Sequence, residues 1–202
     1  MKVKICGITN LEDAMTASNL GADALGFIFS RESLRYVEPQ VARETIMRLP
    51  PFTTPVGVFV NASRDEILRV CGISGIRAIQ FHGDERPADL EGYALPTYKA
   101  LRVNTAFNLS SLLEYQSGTF LLDTYCEKEK GGTGKVFDWN IAVAAKQYGN
   151  IILAGGLSPE NVADAVKTVR PYAIDVNSGV ESSPGRKDAI KLQRLFFMLN
   201  NL

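Results

Sequence analysis

Strand-like and helix-like segments alternate eight times along this chain, with a repeat of roughly 25 residues. Apolar runs that read as strands are Val3–Ile8, Ala24–Phe29, Val56–Val60, Ala78–Phe81, Tyr98–Val103, Phe120–Leu122, Ile151–Ala154 and Ala173–Val176. Between and after them lie helical patterns at Leu11–Leu20, Glu38–Leu49, Arg64–Cys71, Pro87–Tyr93, Asn108–Gln116, Trp139–Tyr148, Pro159–Val169 and Asp188–Leu199. Asn10 and Ser63 are N-cap residues in this reading, and Gly21 stops the first helix. Strict strand–helix alternation implies a parallel sheet. Eight units imply a closed (β/α)₈ TIM barrel, which suits so short a chain better than an open doubly wound sheet. No stretch has linker-like or low-complexity composition, so residues 1–202 are expected to form one domain.

Lys+Arg and Asp+Glu balance at 22 each. Neutrality argues against a nucleic-acid binder or an anionic-membrane binder, because both need a basic surface. It leaves room for a local cationic pocket that takes a small anion. No apolar run approaches the roughly 18 residues of a membrane span, and Met1-Lys2 leads directly into a strand without a signal peptide. The three cysteines, Cys6, Cys71 and Cys126, lack metal-type spacing and suit a reducing cytoplasm. A single histidine, His82, disfavours a histidine zinc site and a Ser-His-Asp triad.

In such barrels the chemistry lies where the strands end. Here those ends carry Cys6, His82, Asp123, Gly155-Gly156 and Asn177-Ser178-Gly179. Each has a plainer reading: a small buried hydrophobe for Cys6, a satisfied core-edge ring for His82, a loop cap for Asp123, tight turns for the glycines. The last two strand ends say more as a pair. Glycines let a backbone approach an anion, helix-start N–H groups donate to it, and the loops after strands seven and eight are the recurrent phosphate site of this barrel. Strand parity puts Lys4 on the Cys6 face and Asp175 on the Asn177 face. The first and eighth strands adjoin in a closed barrel, so the two charges are expected to pair inside it.

The motifs KICGIT, LGFIFS…S-x-RYV, FHGDE, LLDT, GGTGK..FDW, AGGLSPENV and DVNSGVE occur in this order across nearly the whole chain. Together they resemble the phosphoribosylanthranilate isomerase family of tryptophan biosynthesis. The resemblance implies an Amadori rearrangement of N-(5-phosphoribosyl)anthranilate, without metal or organic cofactor. Carried onto matching positions, it implies Cys6 as general base, Asp123 as general acid and Arg35 as the holder of the anthranilate carboxylate. His82 and the two glycine turns would bind substrate. Two positions depart from the family pattern: Leu34 stands where proline is usual, which is expected to loosen the loop carrying Arg35. Asn177 stands where serine is usual, a change that backbone binding of phosphate would tolerate.

The chemistry suits the residues on its own terms, since opening a furanosylamine needs an acid at the ring oxygen and a base at C2. At reference pKa values of about 8.5 and 3.9, the thiolate and the neutral carboxyl would coexist in only about 10⁻⁵ of molecules at pH 7. The thiol is therefore expected to be lowered by an electropositive pocket and the carboxyl raised. Cys6 would then alkylate faster than Cys71. Gly131, Gly132 and Gly134 are expected to let the sixth loop close over substrate. Ribulose-phosphate epimerases, indole-glycerol-phosphate synthases and a non-catalytic phosphate binder are the competing readings. The first needs several histidines, the second catalytic lysines and a longer chain, and the third leaves Cys6 and Asp123 without purpose. A small-molecule partner is expected, and a monomer, with a homodimer as the alternative.

Overall fold

Eight parallel strands close into a ring: β1 (Lys2–Ile5), β2 (Ala24–Ile28), β3 (Thr54–Phe59), β4 (Ala78–Phe81), β5 (Thr97–Val103), β6 (Thr119–Thr124), β7 (Asn150–Leu153) and β8 (Ala173–Val176). This is the (β/α)₈ barrel, in a computed structural model that describes residues 1–104, 106–124 and 137–202. The ring closes where β8 meets β1, with Lys4 directly opposite Asp175. Alternation along each strand divides the apolar residues into two layers. Val3, Ile5, Leu25, Ile79, Leu122, Leu153 and Ile174 face outward into the layer shared with the helices. Val56, Tyr98, Ala100, Leu121, Ile152 and Ala173 fill the barrel itself.

Among the described residues six α-helices cover the ring: α1 (Leu11–Leu20), α2 (Pro39–Ile46), α3 (Arg64–Ser74), α4 (Trp139–Ala145), α5 (Val162–Val169) and α6 (Ala189–Asn200). Asn10 and Ser63 cap α1 and α3 as expected, accepting from the Asp13 and Glu66 N–H groups, and Gly21 ends α1 at φ 110°. No described helix is long and apolar enough to cross a membrane.

Three details differ from the sequence reading. The segments after β4 and β5 are 3₁₀ turns, Pro87–Leu90 and Leu109–Glu114, rather than α-helices. Pro87 starts the first well but only a few residues remain before Gly92, which takes φ 73°. The helix after β7 starts at Val162 rather than Pro159, because Asn161 ties the preceding turn: its Oδ1 accepts from Ser158 N–H at 2.9 Å and its Nδ2 donates to the Gly156 carbonyl at 2.9 Å. The loop after β8 holds an unforeseen antiparallel hairpin, β9 (Glu181–Ser183) with β10 (Arg186–Lys187).

Candidate active site

Cys6 follows the last residue of β1, and its N–H donates to the Val176 carbonyl at 2.9 Å. The side chain is 5% exposed and packs with Ile28 and Val58 at the upper end of the barrel interior. Room for it comes from Gly26 on β2, where a Cβ would lie 2.6 Å from the Cys6 sulfur and 3.1 Å from Lys4 Nζ. Beneath it the expected ion pair is present: Lys4 Nζ to Asp175 Oδ2 is 2.9 Å, with both side chains almost fully buried. Burial alone would lower the Lys4 ammonium, but Asp175, Cys6 and Tyr98 hold it well above its ordinary range. Asp175 Oδ1 is buried without a hydrogen-bond partner among the described residues.

The thiol itself departs from expectation. Burial pushes Cys6 above its ordinary range, and Asp175 adds to the rise. Lys4 and Lys187 pull the other way without offsetting burial. A cation beside a thiol lowers its pKa only when it outweighs the loss of water, and here it does not. In the free protein the Cys6 thiol is thus held above its ordinary range, and burial also raises the half-buried Cys71, so the surroundings give no reason for Cys6 to alkylate faster than Cys71.

Arg35 lies in the loop after β2, where its N–H donates to Ser33 Oγ at 3.1 Å. Its guanidinium grips Glu181 of the β9–β10 hairpin, Nε to Oε1 at 2.9 Å and Nη2 to Oε2 at 2.7 Å. Glu181 also accepts from Lys187 Nζ at 2.9 Å. Burial would raise the Glu181 carboxyl, but Arg35 and Lys187 hold it below its usual range. Lys187 is lowered despite this pairing, because it is the more deeply buried partner and faces Arg35 as well. Lys187 Nζ also donates to Asn177 Oδ1 at 3.0 Å and to the Asn177 carbonyl at 3.3 Å. Asn177 and Arg35 both press on Gly7, so β1, the loop after β2 and the loop after β8 meet beside Cys6. The exposed Leu34 leaves Arg35 tied by Ser33 and Glu181, so its loop is held without a proline.

Across the ring, His82 follows the last residue of β4 and Asp123 lies on β6. His82 Nε2 is 3.2 Å from Asp123 Oδ2, and Thr124 N–H donates to Asp123 Oδ1 at 2.8 Å. Both side chains are partly exposed at the mouth. Gly155 and Gly156 take φ 82° and 67°, and a Cβ on Gly155 would strike Thr124. Ser178 opens a 3₁₀ turn, Ser178–Val180. Gly179 lies so close to the neighbouring loop that a Cβ would run into the Leu157 carbonyl and sit 3.0 Å from Ser158 Cα. The two glycine turns are thus one continuous surface. The sixth-loop residues Tyr125 to Val136, including Gly131, Gly132 and Gly134, lie outside the described residues, as does Cys126.

The profile of the N-(5'phosphoribosyl)anthranilate (PRA) isomerase family matches residues 3–197. The chain belongs to the phosphoribosylanthranilate isomerase family. An N-(5'-phosphoribosyl)anthranilate isomerase of Citrifermentans bemidjiense is 53% identical over 96% of this chain and 94% of that protein. The phosphoribosyl anthranilate isomerase of Thermotoga maritima superposes with a TM-score of 0.94 at 40% identity, covering 100% of both chains. A third isomerase, solved in complex with reduced 1-(o-carboxyphenylamino)-1-deoxyribulose 5-phosphate, superposes with a TM-score of 0.89 at 38% identity, again over 100% of each chain.

Sequence reasoning missed four polar side chains at and beneath this isomerase's mouth. Glu181 and Lys187 lie in a polar stretch with no periodic pattern, and only the hairpin folds them back over Arg35. Gln80 was visible as a lone amide inside the apolar run AIQF, two residues before His82 and so on its face. Tyr98 read as an ordinary strand aromatic.

Proposed function

We propose that this isomerase of tryptophan biosynthesis rearranges N-(5'-phosphoribosyl)anthranilate to 1-(2-carboxyphenylamino)-1-deoxyribulose 5-phosphate by moving protons between its own side chains and the sugar. Asp123 protonates the ring oxygen as the furanosylamine opens to an imine. Cys6, as thiolate, then takes the proton from C2 to give the enamine, which tautomerises to the ketone. The observation that carries this reading is that the thiol and the carboxyl end strands β1 and β6, on different sides of one mouth. Acid and base can therefore flank a sugar held between them.

The remaining groups bind. Glu181 occupies the Nε–Nη2 edge of Arg35, which leaves Nη1 to reach the substrate carboxylate. The turns at Gly155-Gly156 and Ser178-Gly179 offer backbone N–H groups to the phosphate. Ser158 N–H is already committed to Asn161, so the cradle draws on the glycine turns rather than on the start of α5. Incubation with freshly made N-(5'-phosphoribosyl)anthranilate should cause loss of its anthranilate-type fluorescence. No change at micromolar protein would reject the activity.

Two binding variants check the assignments. Arg35→Lys should raise KM roughly 10–100-fold, the loss of a charge-assisted hydrogen bond worth about 1.5–3 kcal/mol. Wild-type kinetics would remove Arg35 from the carboxylate site. Gly156→Val should raise KM at least ten-fold while the protein still melts cooperatively. Its φ of 67° adds about 1–2 kcal/mol of backbone strain. An unchanged KM would move the phosphate elsewhere.

A further inference from the structure

Gln80 is fully buried in the middle of β4, directly beside Tyr98 in the register of β5. Its Oε1 accepts the Tyr98 hydroxyl at 2.8 Å, and its Nε2 lies 2.7 Å from His82 Nδ1. A ring nitrogen that accepts an amide N–H carries no proton, so His82 holds its proton on Nε2, facing Asp123. Thr124 N–H donates to Asp123 Oδ1, and His82 Nε2 stands 3.2 Å from Asp123 Oδ2, so the tautomer of the ring decides whether that second oxygen faces a donor or an acceptor.

We propose that Gln80, clamped by Tyr98, is a positioning residue that sets the tautomer of His82 and thereby whether Asp123 can hold a proton. This rests on Asp123 being the acid. Turning the amide by half a circle presents Oε1 to His82 and the amide N–H to the Tyr98 oxygen, which accepts as readily as it donates. His82 must then carry its proton on Nδ1, and Nε2 becomes an acceptor for an Asp123 O–H. Passing from the first state to the second adds one proton, taken from water onto Asp123 Oδ2. The His82 ring keeps one proton throughout, lost from Nε2 and regained at Nδ1 by exchange with water. The same heavy atoms face one another in both states, but the turned amide leaves the buried Tyr98 O–H without its Gln80 acceptor, which makes the second state the costlier one. Tyr98 stays a neutral phenol throughout, since burial pushes its pKa up.

His82 is the only histidine, so ¹⁵N-histidine labelling reports this one ring without assignment. At neutral pH the wild-type protein without substrate should show one protonated and one unprotonated ring nitrogen, the protonated one being Nε2. Gln80→Glu offers only acceptors, so both nitrogens should become protonated. Its kcat should fall roughly 10–100-fold, as for loss of an orienting partner, with KM nearly unchanged. Tyr98→Phe keeps the packing but frees the amide, and should give a mixture of both tautomers with a smaller fall in kcat. If Gln80→Glu does not fold, Tyr98→Phe decides. A wild-type nitrogen pattern or wild-type kcat in the folded variants overturns the proposal, because a role confined to packing would leave the tautomer where it was. Wild-type turnover by Asp123→Asn would instead reject the acid assignment, and leave the nitrogen measurement standing.

Discussion

Cys6→Ser should lower kcat roughly 10²–10⁴-fold and leave KM nearly unchanged, the factor a positioned base contributes to proton transfer. A serine hydroxyl fills the same small space beside Ile28 and Val58 but is a far poorer base than a thiolate. Asp123→Asn should fall by a similar factor, because it keeps the shape at the end of β6 and removes the transferable proton. The raised thiol sharpens the first expectation. Below its pKa the thiolate fraction drops ten-fold for each unit of pH, so at pH 7 it lies under the roughly 3% of an unshifted thiol. The wild-type kcat/KM, which reports the free protein, should therefore climb toward alkaline pH, and Cys6→Ser should lose that climb. Steady-state kinetics from pH 6 to 9 on both proteins checks this. A serine variant at near wild-type rate, or a flat wild-type profile, would defeat the base assignment even with the isomerase activity intact.

Lys4→Met should cost about 3–5 kcal/mol, since it leaves the Asp175 carboxylate unpaired inside the barrel. At roughly 2–4 °C per kcal/mol for a chain of this size, the melting midpoint should drop by about 6–20 °C. Asp175 already has one oxygen without a partner among the described residues, so little else described in the barrel can take up the charge. Replacing both members, as Lys4→Met with Asp175→Leu, should recover most of the stability, because apolar groups of similar volume often fill such sites as well as the ions did. Activity should stay low in that double variant. The cation that draws Cys6 toward the thiolate is gone, and burial then acts on the thiol unopposed by Lys4. A single variant melting within a few degrees of wild type would show that the pair does not hold the barrel shut. Full activity in a stable double variant would show that Lys4 is not there for Cys6.

What could be read from residues and what could not divide along a physical line. The barrel, the facing of Lys4 and Asp175, and the place of Cys6, His82, Asp123 and the two glycine turns at strand ends all follow from local rules. Strand parity, the strand–helix period, capping at Asn10 and Ser63 and the turn preferences of glycine act within a few residues, and the chain states them directly. The tertiary structure alone decided the rest. Whether 87–90 and 109–114 become α-helix or 3₁₀ turn depends on the space left between neighbouring strands. Glu181 reaches Arg35 across 146 positions of sequence, through a hairpin that no periodic pattern announced. The direction of the Cys6 pKa is a contest between burial and two lysines, Lys4 and Lys187, one of them far away in the chain. Its sign depends on how much water the folded barrel excludes, a quantity that belongs to the assembled mouth and to no segment of it.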